Sequence, residues 1–319
     1  MSTDAVPAVQ TVGVSRRFGP VQAIDQIGLT VPSGVVYGFL GPNGAGKTTT
    51  LRILTALLRP DTGSVRLFGE PVQRGAAVLR RIGAAIERPA FYPYLSGRAN
   101  LEVFGLVGAF RYRDPRAIDA VIDRVGLREA ASRPFGTYST GMKQRLAIGL
   151  AILGEPALVI LDEPTSGLDP EGIVAVRELV QELQAQGATV VLSSHQLGEV
   201  ERVCSWVGVV VRGRLIAQGA VDELLGQPET RLELASKADR ERARELLAGA
   251  GASPADRPSG ADEGTSLVLR SGATNHAVAR LLADHGIYPT ELAVRRRSLE
   301  SLFLELTSAV RSGTGGGTG

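Results

Sequence analysis

The stretch Gly41-Pro42-Asn43-Gly44-Ala45-Gly46-Lys47-Thr48 decides how the rest of the chain is read, because it meets the pattern G-x-x-x-x-G-K-[ST] at every fixed position. Before it, Val35-Val36-Tyr37-Gly38-Phe39-Leu40 is short and apolar, as a buried parallel strand requires. After it, residues 49–58 put Leu51, Leu54, Thr55 and Leu58 on one helical face. In a strand–loop–helix setting the glycines let backbone N–H groups approach phosphate oxygens, and the helix N-terminus adds partial positive charge. Lys47 then reaches the β- and γ-phosphates, and the Thr48 hydroxyl ligates Mg²⁺. The competing reading is a Gly-rich turn that binds nothing, and the flanks oppose it.

A length of 319 residues suggests about two domains. The hydrophobic fraction of 44% supplies a core, and a net charge of +2 gives no push toward nucleic acid, so none is expected as a partner. A single cysteine, Cys204, excludes an internal disulfide framework and suits a reducing compartment. No run approaches the ~18–20 apolar residues that span a bilayer, and residues 1–10 carry no secretory signal. A membrane, if involved, is expected to enter through another subunit.

Residues 1–34 read as two or three short strands broken at Phe18-Gly19-Pro20 and Pro32-Ser33-Gly34. Strands are also expected at 64–68 and 82–86, and residues 88–155 read as an inserted helical subdomain with helices at 97–111, 115–125 and 141–153. The core resumes with a strand at 157–162, a helix from Pro170 to about 186 closed by Gly187, and strands at 188–193, 206–211 and 214–218, then a short helix near 221–225. Such alternation predicts a parallel, doubly wound sheet. Beyond 227, strands at 230–235, 265–270 and 291–296 alternate with helices at 237–249, 275–285 and 298–310, a small α+β accessory domain over 228–311. Residues 251–264 read as a loop, and the Gly/Thr-rich tail 312–319 as disordered.

The second chemical element is Leu158-Val159-Ile160-Leu161-Asp162-Glu163. An acid at the C-terminal end of a buried strand lies where open α/β sheets bind ligand. Asp162 is therefore a candidate Mg²⁺ carboxylate, against helix capping, and Glu163 a candidate base for the attacking water, against a solvated acid.

With the phosphate loop and this acidic strand end, further stretches stand in the order and spacing of the ATP-binding subunits of ABC transporters. Phe18 occupies the position of the aromatic that stacks on adenine, and Glu87 begins the switch loop. Tyr138-Ser139-Thr140-Gly141-Met142 resembles the signature, Ser166-Gly167-Leu168-Asp169 the D-loop, and His195 the switch histidine. Taken singly, Phe18 reads equally as core packing, His195 as structural and Asp169 as the N-cap before Pro170. The resemblance covers about residues 8–220. It implies a P-loop NTPase of the ABC ATPase fold, with antiparallel β and helical subdomains, over residues 1–227.

It also implies a site. Glu163, His195 and Lys47 would be catalytic. ATP would be held by Phe18, by Gly41, Pro42, Asn43, Gly44, Ala45, Gly46, Lys47, Thr48 and Thr49, and by Glu87, Ser139, Gly141, Asp162 and Asp169. Mg²⁺ would be held by Thr48, Asp162 and Glu87. Two copies are expected to dimerise head to tail, with ATP between the P-loop of one and the signature of the other. A separate transmembrane permease would hold the chain at the cytoplasmic face of the membrane.

This sequence departs from the family's pattern at three positions. Thr140 replaces a glycine, so a positive φ there would be costly. Met142 replaces a glutamine that would face the ribose, and Glu87 puts an acid where an amide is usual. Together with Phe91-Tyr92-Pro93 and the C-terminal Ser298-Leu299-Glu300-Ser301-Leu302-Phe303, these departures look like the drug- and bacteriocin-resistance exporters of daunorubicin and bacitracin type. Phe91, Tyr92 and Tyr94 would then face the permease. The alternatives are a soluble ABC ATPase acting on ribosomes or DNA, and a cassette that binds ATP without turnover. A single P-loop and the complete Lys47, Asp162, Glu163 and His195 set oppose both.

Overall fold

The protein was analysed as a computed structural model that describes residues 6–87, 90–107, 114–226, 229–250, 253–255, 265–270, 275–295 and 297–313. The described chain up to Val221, together with Leu306–Gly313, belongs to one compact unit, and Asp222–Glu305 form a second.

The first unit opens with β1 (Val9–Phe18), β2 (Val21–Ile27) and β3 (Thr30–Val31), followed by β4 (Val36–Leu40) and α1 (Lys47–Leu54). Then come β5 (Thr62–Leu67), β6 (Glu70–Pro71) and β7 (Ile82–Ala85). Strands β2, β1, β5 and β6 form an antiparallel sheet in that order, with β3 on β1. Helices α2 (Gly97–Val107), α3 (Pro115–Arg124) and α4 (Thr140–Ile152) pack on one another, and α4 also lies on β7. Residues 108–111, expected as the end of a longer first helix, lie outside the described residues. The run continues with β8 (Leu158–Asp162), α5 (Pro170–Ala185), β9 (Thr189–Ser194), α6 (Leu197–Val203), β10 (Trp206–Val211), β11 (Arg214–Ala220) and α7 (Val221–Leu225).

The second sheet runs β11-β10-β4-β9-β8-β7 and is parallel except for β11. β4 and β9 are buried at every position, β4 as its apolar run anticipates and β9 with Thr189, Ser193 and Ser194 buried beside its apolar residues. The order sets β4, β9 and β8 side by side, and the register aligns their C-terminal ends. Leu40 pairs with Ser194, and Asp162 with Ser193. The phosphate loop after β4, the acids ending β8 and the histidine after β9 therefore emerge on one edge.

Within the helical region, Asn100 is fully buried and ties the 92–96 turn together. Its Oδ1 accepts from the Tyr92 N–H at 2.7 Å, and its Nδ2 donates to the carbonyls of Tyr92 and Ser96, each at 3.0 Å. Phe91 is buried against Phe104 and Phe135 in edge-on contacts. Phe91 is thus core, and of the aromatic group expected to face a permease only Tyr92 and Tyr94 are exposed. Asn100→Ala removes the partner of the part-buried Tyr92 N–H and of the Tyr92 and Ser96 carbonyls, so it should cost about 1–3 kcal/mol of stability, read as a lower denaturant midpoint. An unchanged midpoint would show that the turn holds without it.

In the second unit, β12 (Glu229–Glu233), α8 (Lys237–Gly249), β13 (Ser253–Ala255), β14 (Ser266–Arg270), α9 (Asn275–Asp284) and β15 (Glu291–Arg295) lead into α10 (Leu299–Gly313), of which the residues up to Glu305 belong to this unit. Its antiparallel sheet runs β13-β14-β12-β15. Leu232, Leu247, Leu267, Leu269, Val278 and Leu282 form its core. Of the 251–264 stretch expected as a loop, residues 253–255 pair with β14, and most of the remainder lies outside the described residues. The tail expected to be disordered from 312 instead has Ser312 and Gly313 in α10, and 314–319 lie outside the described residues.

Candidate functional site

The site begins with how α1 starts. Its N-cap is Gly46 at φ 102°, with no side-chain cap, whereas α3, α4, α5 and α8 are capped by Asp114, Ser139, Asp169 and Ser236. A Cβ on Gly46 would fall 2.6 Å from the Ala23 carbonyl, and one on Gly41 would fall 2.3 Å from that of Val210. Both positions therefore admit only glycine in this backbone. The uncapped first turn presents N–H donors and the positive end of the helix to the loop, an arrangement suited to phosphate. Pro42, Asn43 and Gly44 are exposed, Ala45 is buried, and Thr48 and Thr49 are half-buried.

Lys47 is 6% exposed. Its Nζ donates to the Gly41 carbonyl at 2.7 Å and to that of Pro42 at 3.4 Å, and lies 3.3 Å from Glu163 Oε1. The three N–H donors of the ammonium thus face three oxygens. Beside it, Thr48 Oγ1 donates to Asp162 Oδ2 at 2.7 Å. A hydroxyl and a carboxylate are hard oxygen donors that suit Mg²⁺. Among the described residues no three His, Cys, Asp or Glu side chains gather into a metal cluster. A magnesium ion would therefore be held jointly with phosphate and water, its usual manner.

Glu163 stands at φ 48°, and its carboxylate bridges two groups, Lys47 through Oε1 and His195 Nδ1 through Oε2 at 2.8 Å. The kink is anchored by the Glu163 N–H donating to Ser193 Oγ at 2.9 Å, while that hydroxyl donates to Asp162 Oδ1. Sequence reasoning placed Ser193 only within a strand. It is one of three polar residues in that buried strand, beside Thr189 and Ser194, and nothing local singles it out.

Other expected residues lie apart from this group. Glu87, at φ 63°, ion-pairs with Arg52 in the last turn of α1, so its carboxylate is engaged there rather than with Thr48 and Asp162. Phe18 ends β1, 43% exposed, with the Arg16 guanidinium 5.0 Å from its ring centroid. Arg16 is held by Asp61 at 2.6 Å. Asp169 caps α5, accepting from the Gly172 N–H at 3.0 Å. Ser139 is exposed and caps α4, accepting from the Met142 N–H at 3.2 Å. Thr140 is the first helical residue and is not among the positive-φ residues, so the strain expected of this substitution does not arise. A Cβ on Gly141 would sit 3.1 Å from Leu168, so the signature and the D-loop stretch are neighbours within one chain. Cys204 is buried, and burial pushes its thiol pKa up, away from the reactive thiolate.

The described helices include none long and apolar enough to cross a membrane. The family model described as "ABC transporter" matches residues 24–166. The daunorubicin/doxorubicin resistance ATP-binding protein DrrA of Streptomyces peucetius is 37% identical, over 96% of this chain and 94% of its own. The bacitracin transport ATP-binding protein BcrA of Bacillus licheniformis is 40% identical, over 68% and 71%. Among solved structures, the ATP-binding subunit of an ABC transporter aligns with TM-score 0.62 and 29% identity, over 68% of this chain and 91% of that one. A dimeric ATP-binding cassette, MJ0796 with ADP and phosphate, aligns with TM-score 0.61 and 23% identity, over 67% and 98%.

Proposed function

We propose that this chain, which belongs to the ATP-binding proteins of ABC transporters, hydrolyses ATP and so powers export of a drug, antibiotic or peptide through a separate membrane permease. The observation that carries the chemistry is the Glu163 carboxylate held between Lys47 and His195 at the end of β8. Glu163 accepts a proton from water as the water oxygen attacks the γ-phosphorus and the bond to the β–γ bridging oxygen breaks. His195 fixes the orientation of that carboxylate. Lys47 exchanges its loop carbonyls for β- and γ-phosphate oxygens. Thr48 and Asp162 would hold Mg²⁺, which would supply positive charge against the phosphate oxygens. Phe18 offers the adenine its exposed face, the other being approached by Arg16.

In this reading the exposed N-terminus of α4, with Ser139, contacts the γ-phosphate bound to a second copy, and Asp169 lies near that interface. Loss of the γ-phosphate removes the bridge and the dimer opens. Glu87 enters the Mg²⁺ site only by leaving Arg52. Exposed Tyr92 and Tyr94 face the permease, which holds the chain at the cytoplasmic membrane face. The export reading rests on the likeness to DrrA along nearly the whole chain, accessory unit included.

The test is phosphate release by the chain alone, in membranes containing the co-expressed permease, and with ribosomes or DNA. Stimulation by the permease membranes is expected. Stimulation by ribosomes or DNA instead would overturn the transport reading.

A further inference from the structure

The polar side chains of β9 divide by what they hold. Thr189 Oγ1 accepts from the Gly34 N–H at 2.9 Å, and Ser194 Oγ accepts from the Gln196 N–H at 2.9 Å, so each fastens a turn. Ser193 is different. It is fully buried, lies directly across from Asp162 in the sheet, and contacts both acids that end β8. A hydroxyl has one proton, and the Asp162 carboxylate accepts it, so an oxygen lone pair is left to receive the Glu163 N–H. The hydrogen-bond direction is therefore fixed by chemistry.

Each end of this bridge has a consequence. At Asp162, Ser193 occupies Oδ1 while Thr48 occupies Oδ2, so both oxygens are oriented. At Glu163, the N–H bond secures a left-handed backbone that side chains disfavour. That kink directs the carboxylate to Lys47 and His195.

We propose that Ser193 is a positioning residue for ATP hydrolysis, its hydroxyl setting both the Asp162 carboxylate toward Thr48 and the Glu163 carboxylate between Lys47 and His195. The inference rests on the roles of Asp162 and Glu163 given above. Residues that orient metal-side carboxylates typically change affinity or activity about 10–100-fold when removed.

The experiment uses the full chain with Ser193→Ala, Ser193→Cys and Ser193→Thr. It measures kcat, KM, melting temperature and the dissociation constant of ATP in Mg²⁺ and in EDTA. The alanine variant should lose about 10–100-fold in kcat with KM little changed, and Mg²⁺ should tighten ATP binding less than in wild type. The cysteine variant, close to serine in shape but a poor donor, should share both deficits. The threonine variant, which keeps the hydroxyl, should recover them. Wild-type kcat and Mg²⁺ dependence in the alanine or cysteine variant would overturn the proposal. So would equal losses in all three variants that follow melting temperature, since packing alone gives that result. If wild type turns over no ATP, the hydrolysis reading fails, and the Mg²⁺ dependence of ATP binding still decides Ser193.

Discussion

Glu163→Gln is expected to bind ATP and to hydrolyse it about 10²–10⁴-fold more slowly than wild type. Glutamine keeps the length of the side chain, and the backbone N–H that donates to Ser193 is untouched, so the kink at residue 163 should persist. What is lost is the carboxylate that accepts a proton and that now faces Lys47 at 3.3 Å and His195 at 2.8 Å. With the γ-phosphate left in place, the bridge between two copies should persist as well. ATP and Mg²⁺ should therefore shift the variant from monomer to dimer on a sizing column, where wild type returns to monomer as ATP is consumed. A variant that hydrolyses quickly and stays monomeric would remove Glu163 from the role of base.

Lys47→Ala should bring ATP turnover to background. The ammonium is buried and faces the Gly41 and Pro42 carbonyls and Glu163, all at the mouth of the loop. A hydrogen bond to a charged group contributes about 1.5–3 kcal/mol, so ATP affinity should weaken about 10–150-fold. Turnover should fall further, because positive charge is then missing where it builds up on the transferring phosphoryl group. Phosphate release at a saturating ATP concentration separates the two effects. Wild-type rates would end the assignment of residues 41–48 as the phosphate site.

The parts of the site legible in the sequence are those where backbone geometry restricts the residue. Gly41 and Gly46 have no room for a Cβ, Asp169 and Pro170 start a helix, and Asp162 ends an uninterrupted apolar run. Each is a local rule, visible within a few positions. What stayed hidden depends on residues far apart in the chain. Arg52 and Glu87 are 35 residues apart, so nothing local reveals that the switch-loop acid is engaged at the far end of α1. The burial of Phe91 follows from Phe104 and Phe135 closing over it. Ser193 could be placed in a strand, but only the register with β8 sets it opposite Asp162. Short elements also escaped notice, α6 and β13 among them. Helix α6 has seven residues and no side-chain cap, and β13 has three residues in a Gly- and Pro-rich stretch. Neither is long enough to display a period.

Thr140 shows how a departure from a family pattern is settled by geometry. Judged by sequence, a threonine in place of glycine raised the question of a strained backbone. As the first residue of α4, directly after the Ser139 cap, it takes helical angles that suit any side chain. The Met142 N–H is taken by the Ser139 cap, so a phosphate from outside the chain would meet the N–H groups of Thr140 and Gly141.

In the proposed reading, residues 41–48 form half of a site that Ser139 and α4 of a second copy complete. That completion is tested most directly by sedimentation of Glu163→Gln alone and combined with Ser139→Arg, each in ATP and Mg²⁺, with ATP binding measured alongside. Both proteins should bind ATP, and only the single variant should sediment as a dimer, because the arginine obstructs the exposed start of α4 and leaves the phosphate loop intact. A double variant that still dimerises with ATP would contradict the account.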